Sequence, residues 1–231
     1  MTEALKKWIA PKDFYKKVFL ISVPLALQQL LNSAMGIADS MMVSWIGQVT
    51  AVGTAAQIEN LMMTVGFGVA SGAGIFMSQF FGKQDLKSEK KAFGLGVILS
   101  LINALVWMAA SVFFGRQLMH FYIPDPTVIE SALQYLMIAM ISYLPGALIT
   151  MFSFAYRCIQ KTHVPMLIGL VSMAVNIVLN YCLIFGHFGF PQMGVQGAAL
   201  ATLIAQTVSC ILVAVTLLRS KESYQIIPKK I

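Results

Sequence analysis

The sequence predicts an all-α integral membrane protein with six transmembrane helices, and three observations predict it. Of 231 residues, 58% are hydrophobic and only 11% charged, where soluble domains carry about 25% charged residues. The apolar residues gather into six runs, each long enough to cross a bilayer at about 20 residues and 1.5 Å per residue. The basic residues are confined to the breaks between those runs and to the two ends.

The predicted organisation is an amino tail at 1–17, a membrane unit at 18–218 and a carboxyl tail at 219–231. The six segments run over 18–46, 52–80, 92–114, 129–156, 164–186 and 194–218. Each break has its own chemistry: Gly47 with Gln48, the charged stretch Lys83–Lys91, Ile123-Pro124-Asp125-Pro126, Gln160–His163 before Pro165, and His187–Met193. The basic amino end resembles the start of a signal peptide. The run after it is too long for a signal core and lacks a small-residue cleavage site, so it is expected to stay as the first span.

Orientation follows from the cations. Lys6, Lys7, Lys12, Lys16, Lys17, Lys83, Lys87, Lys90, Lys91, Arg157, Lys161, Arg219, Lys221, Lys229 and Lys230 share one side, and Arg116 alone takes the other. By the positive-inside rule both termini are cytoplasmic. The net charge of +7 therefore reports topology and not a nucleic-acid surface. Cys158, Cys182 and Cys210 show no metal or disulfide spacing and are assigned to packing.

The first segment carries a single acid, Asp39, and no Lys or Arg. A charged residue there costs about 2.5–3.5 kcal/mol on insertion scales, which favours an ion-titratable site over a polar packing seam with a neutral, protonated Asp39. At 100° per residue, Gln28, Asn32, Met35, Asp39 and Met42 fall on one stripe that avoids lipid. Pro24 removes a backbone donor and predicts a bend. Segment two carries six glycines, assigned to close helix packing, and a polar stripe including Gln57, Asn60 and Thr64. Its acid, Glu59, lies off that stripe, and the sequence leaves open whether it lines a cavity or caps a water-exposed end. Met63 joins Met35, Met42 and Met62 as a candidate adaptable wall.

Segments three and four offer Asn103 and Trp107, read as packing, and Pro145-Gly146, read as a kink. Arg157 reads as a topology anchor. In segment five Asn176 and Asn180 share a face, as do Thr202, Gln206 and Ser209 in segment six. Counted at 1.5 Å per residue from their helix ends, Asp39, Asn176, Asn180 and Thr202 all lie about 9–15 Å below the outer surface. Three helices thus offer polar groups in one layer, which argues for a shared site over independent polar packing contacts. No HExxH, GxSxG or paired-carboxylate motif occurs, and His120, His163 and His187 fall at segment ends, so no catalytic residue is assigned.

With those residues in hand, the chain resembles the multidrug and toxic compound extrusion (MATE) family. The matching pieces are Pro24; Ala38-Asp39-Ser40-Met41-Met42-Val43 followed by Gly47; Ala51-Val52-Gly53; Arg157 with Pro165-Met166; Asn176-Ile177-Val178-Leu179-Asn180; Gly189-Phe190-Pro191; and Gly197-Ala198-Ala199-Leu200-Ala201-Thr202. The resemblance implies the amino-terminal six-helix lobe of a twelve-helix antiporter, which exports organic, often cationic, compounds against H⁺ or Na⁺. It places Asp39, Asn176, Asn180 and Thr202 at the cation site, with Na⁺ a possible ligand of Asp39, Asn176 and Asn180. It implies no cofactor beyond the coupling ion, a bilayer of the cell membrane, xenobiotic substrates, and a second lobe supplied by another copy or a separate chain. Some members carry Asp at the position of Asn180, so the identity of the ion stays open, and the family's glycine after Arg157 is replaced by Cys158. Gln28, Asn32, Met35, Gln57, Glu59, Asn60, Met63 and Gln206 are the substrate-cavity candidates. The competing readings are a half-length lobe inactive without a partner, and a lipid-linked oligosaccharide flippase. The flippase reading calls for Arg or Lys along the cavity, and the sequence places none within a span.

Overall fold

Proline without an N–H, aspartate at loop ends and glycine at turns decide where the helices of this chain begin and stop. The computed structural model describes residues 11–219; the tails at 1–10 and 220–231 lie outside the described residues. The helices are α1 (Lys12–Ser44), α2 (Val49–Gly82), α3 (Leu86–Tyr122), α4 (Pro126–Ala139), α5 (Tyr143–Cys158), α6 (His163–Phe185) and α7 (Val195–Arg219). A 3₁₀ turn, Met140–Ser142, joins α4 to α5. Counting Pro126–Cys158 as one crossing, the described residues hold six helices long and apolar enough to span a membrane. The protein is a multi-pass membrane protein.

The helices outrun the apolar segments, because hydropathy marks where lipid begins and not where helical hydrogen bonding begins. Lys12–Lys17, expected in the amino tail, form the first turns of α1 after Pro11. The charged stretch expected as a loop over Lys83–Lys91 is mostly helix. Asp85 accepts the Ser88 N–H at 3.1 Å and caps α3, which leaves residues 83–85 as the turn. Asp125 caps α4 through the Thr127 N–H at 2.9 Å and hydroxyl at 2.7 Å, with Pro126 in the first helical position. Those two bonds hold the Asp125 carboxyl below the usual aspartate range.

The interruption in the fourth crossing falls one turn ahead of Pro145 and not at Pro145-Gly146. Proline has no N–H for the carbonyl four residues back, that of Ile141, and its ring crowds it. The helix tightens to 3₁₀ there and resumes at Tyr143. α1 runs unbroken through Pro24.

The crossings pack as neighbours α2–α3, α6–α7 and α1–α6, with α4 and α5 in the middle against α2, α3 and α7. The largest apolar cluster joins Val43, Ile58, Met119, Leu136, Ile184 and Ala199 at the end away from the termini. A second unites Met77, Phe93 and Met151 nearer the terminal side. Large apolar side chains such as Phe19, Leu30, Ile98, Phe113 and Ile211 are exposed, as lipid-facing surfaces require. α1 is the least enclosed helix, burying only Gln28 and Val43.

The glycines of α2 divide by surroundings. A Cβ at Gly66 would meet Asn103 at 3.3 Å and one at Gly74 would meet Phe154 at 3.2 Å, whereas Gly53, Gly68, Gly72 and Gly82 face open space. Close packing thus accounts for only two of the six. Asn103 itself donates to the Met62 carbonyl at 3.2 Å, a packing bond between α3 and α2.

Gly186 ends α6 at φ 74°, and its N–H and that of His187 both reach the Cys182 carbonyl at 3.0 and 3.1 Å. Left-handed backbone costs a side-chain-bearing residue about 1–2 kcal/mol, and a Cβ here would also sit 3.0 Å from the Gln192 nitrogen. Gly186→Ala is therefore expected to lower stability by at least about 1–2 kcal/mol in a thermal melt followed by circular dichroism. An unchanged melt would show that the turn relaxes freely.

Candidate functional site

Three helices converge on Asp39. α1 presents the carboxylate, α6 presents Asn176 and Asn180 one turn apart and fully buried, and α7 presents Thr202, also buried. Asn180 Nδ2 donates to Asp39 Oδ1 at 2.5 Å and to Asn176 Oδ1 at 3.1 Å. Asn176 Nδ2 reaches Thr202 Oγ1 at 3.4 Å, and the Thr202 hydroxyl donates to the Ala198 carbonyl at 3.1 Å. The structure therefore brings together the four residues that the sequence put in one layer. Asn180 Oδ1 is buried with no donor to it. A buried carbonyl left unpaired costs about 1–3 kcal/mol, and a hard cation, which takes oxygen ligands, would satisfy it. One carboxylate, two amide carbonyls and a hydroxyl are the oxygen donors that Na⁺ takes; to ligate an ion shared with Asp39, Asn180 would turn its amide, because Nδ2 and not Oδ1 faces that carboxylate.

Two further groups complete this neighbourhood. Glu59 points inward, within electrostatic reach of Asp39, and is not a water-exposed helix end. Tyr135, from α4, is buried against Thr202 and within reach of both carboxyls. Sequence reasoning gave Tyr135 no role. Depth would have found it, because nine residues from Pro126 place it about 14 Å into the layer that holds Asp39.

The remaining candidates separate. Gln28, Asn32, Met35, Met63 and Gln206 line a cavity of about 320 Å³ between α1, α2, α5, α6 and α7, on the terminal side of Asp39. Gln57 and Asn60 do not line it; they occupy an exposed face of α2. Glu59 belongs with Asp39 instead. Of the methionines, Met35 and Met63 border the cavity, while Met62 is core and Met42 packs on the core.

Arg157 corrects the sequence reading most. It is not a solvated anchor: its guanidinium enters this cavity, donates from Nη2 to Gln28 Oε1 at 3.2 Å and lies 4.8 Å from the Phe154 ring centre. The sequence missed it because a helix-end arginine is indistinguishable in pattern from an anchor. Its direction depends on a neighbour 129 positions away. A cavity of this lobe therefore does hold a basic residue, contrary to the expectation from the spans.

Six crossings packed in this order form the fold of one lobe of a MATE transporter. Over 93% of this chain it superposes with a TM-score of 0.83 on 47% of a MATE transporter of the MOP superfamily in its outward-facing conformation, at 22% identity. Against an inward-facing MATE transporter structure the TM-score is 0.74 over 90% of this chain and 47% of that one, at 22% identity. The chain belongs to the MatE family, whose model matches residues 24–182. It is 30% identical to the uncharacterized transporter YisQ of Bacillus subtilis over 90% of this chain and 46% of that protein. To the probable multidrug resistance protein NorM of Thermotoga maritima it is 24% identical over 96% of this chain and 49% of that one. The chain spans about half the length of the curated relatives it matches.

Proposed function

We propose that the chain is the ion-binding lobe of a multidrug exporter that drives organic, often cationic, compounds out of the cell by antiport with H⁺ or Na⁺. The observation that carries this reading is the Asp39–Asn180–Asn176–Thr202 chain, which spans three helices and includes an unsatisfied oxygen. An entering ion neutralises Asp39; a cationic compound requires it ionised. The two occupants therefore exclude one another, and exclusive occupancy linked to two helix arrangements is antiport. The unpaired Asn180 carbonyl suits either ion, since it can ligate Na⁺ or accept the O–H of a protonated Asp39.

The proposed orientation puts both termini in the cytoplasm of a cell membrane, with the ion site in the outer half. A second six-helix lobe completes the substrate path. Its support is the exposed face of α1, where Ser33, Gly36, Ser40 and Ser44 line a shallow groove that allows close helix approach, and the exposed Gln57 and Asn60. A lipid-linked oligosaccharide flippase is the weaker reading, because a pyrophosphate calls for several bidentate cations and this cavity holds only Arg157 among the described residues.

The test is reconstitution of the purified chain in liposomes, with H⁺ and Na⁺ gradients imposed separately and a fluorescent organic cation as cargo. Gradient-driven uptake, by the chain alone or after co-reconstitution with a carboxyl-terminal lobe, supports the proposal. Ion-independent movement in both preparations would overturn it.

A further inference from the structure

The cavity around Arg157 has an electrostatic character opposite to that of the Asp39 cluster. Eleven residues of α1 separate Gln28 from Asp39, about 16 Å along the helix, so one helix carries a cationic chamber and an anionic cluster at different depths. The chamber is lined from α1, α2, α5, α6 and α7. Its volume of about 320 Å³ lies at the small end of ligand pockets, roughly 300–1,000 Å³.

Arg157 is half-buried, and its donors are only partly used. Nη2 has Gln28 as partner, while Nε is buried with none. The guanidinium carbon lies 4.8 Å from the Phe154 ring centre, within cation–π range. A planar fork beside an aromatic ring, with a buried donor free of protein partners, matches the two oxygens of a carboxylate or phosphate. Beyond the fork Met35, Met63, Phe67, Ile149 and Met173 give the lining an apolar side, interspersed with Asn32, Thr150, Ser172 and Gln206. We infer that this chamber is an oxyanion-binding site, in which Arg157 holds the carboxylate or phosphate of a small amphipathic anion whose apolar part lies toward the middle of the membrane. The Gln28 amide holds the fork in place and yields or shares its bond when the anion arrives. The inference does not depend on ion coupling, since binding is read without transport. The same chemistry comes from a soluble aromatic acid or from an anionic lipid headgroup, and the experiment separates them.

The purified chain in phosphatidylcholine nanodiscs is titrated calorimetrically with benzoate, phenyl phosphate and, as matched cation, benzylammonium. Saturable binding of the oxyanions at one per chain, without benzylammonium binding, is expected. Arg157→Gln should weaken it about tenfold or more, as loss of hydrogen bonds to a charged group does. Arg157→Lys should weaken it too, because the fork is lost while the charge is kept. Lys91→Gln, which removes an exposed charge, should leave it unchanged.

In nanodiscs containing phosphatidylglycerol, competition with benzoate, together with one Arg157-dependent lipid retained per chain in native mass spectrometry, would assign the site to a headgroup. Unaltered benzoate binding would assign it to soluble anions. Wild-type affinity in Arg157→Gln, an equal loss in Lys91→Gln, or binding of neither benzoate nor phosphatidylglycerol would overturn the inference.

Discussion

Asp39→Asn is expected to abolish ion-driven efflux in membrane vesicles while the protein still folds. The amide matches the carboxylate in shape, and its oxygen still accepts from Asn180 Nδ2, so the bridge between α1 and α6 persists in neutral form. What disappears is the charge that an ion or an organic cation would neutralise. A hydrogen bond to a charged group contributes about 1.5–3 kcal/mol, so ion affinity should drop roughly 10- to 150-fold from this change alone. Coupling should drop further, because ion and compound would no longer compete for one charge. Thermal melts of wild type and variant should coincide within about 1 kcal/mol. Vesicles in which the variant still pumps on an imposed H⁺ or Na⁺ gradient at the wild-type rate would remove Asp39 from the coupling site.

The second large effect is structural. At Gly197, near the start of α7, a Cβ would lie 2.7 Å from both the carbonyl carbon and the oxygen of Leu183 in α6. Backbone cannot rotate aside as a side-chain end can, so α6 and α7 must separate. Overpacking of this kind costs about 1–3 kcal/mol, which for a protein of this size shifts the melting temperature by roughly 2–12 °C. These two helices carry Asn176, Asn180 and Thr202, and the Asn176–Thr202 bond is already 3.4 Å. Gly197→Ala should therefore impair the ion site along with stability. Gly72→Ala is the control: its Cβ meets nothing within 4 Å, and removing a mid-helix glycine should be neutral or stabilising by up to about 1 kcal/mol. Equal melts for the two variants would show that the α6–α7 contact has slack.

The polar layer was legible because lipid makes depth readable. Each crossing is a rod of fixed rise, so counting residues from a helix end gives a height, and Asp39, Asn176, Asn180 and Thr202 agreed in height before any contact was known. Rotation was less legible. The sequence grouped Gln57 and Asn60 with the cavity candidates because they share a polar stripe, but a stripe can face a partner or water as well as this lobe's own cavity. Arg157 and Tyr135 carried no local pattern that distinguished them from an anchor and a packing aromatic.

The sequence alone determined six spanning helices, their breaks and the isolated acid on the first of them, because bilayer thickness and the cost of buried charge act on each helix separately. Only the tertiary structure decided which side chains meet across helices: Asn180 on Asp39, Glu59 turned inward, and Arg157 drawn into a chamber against Gln28 and Phe154. Those contacts depend on how the rods are turned about their axes and packed together, and no single helix encodes that rotation.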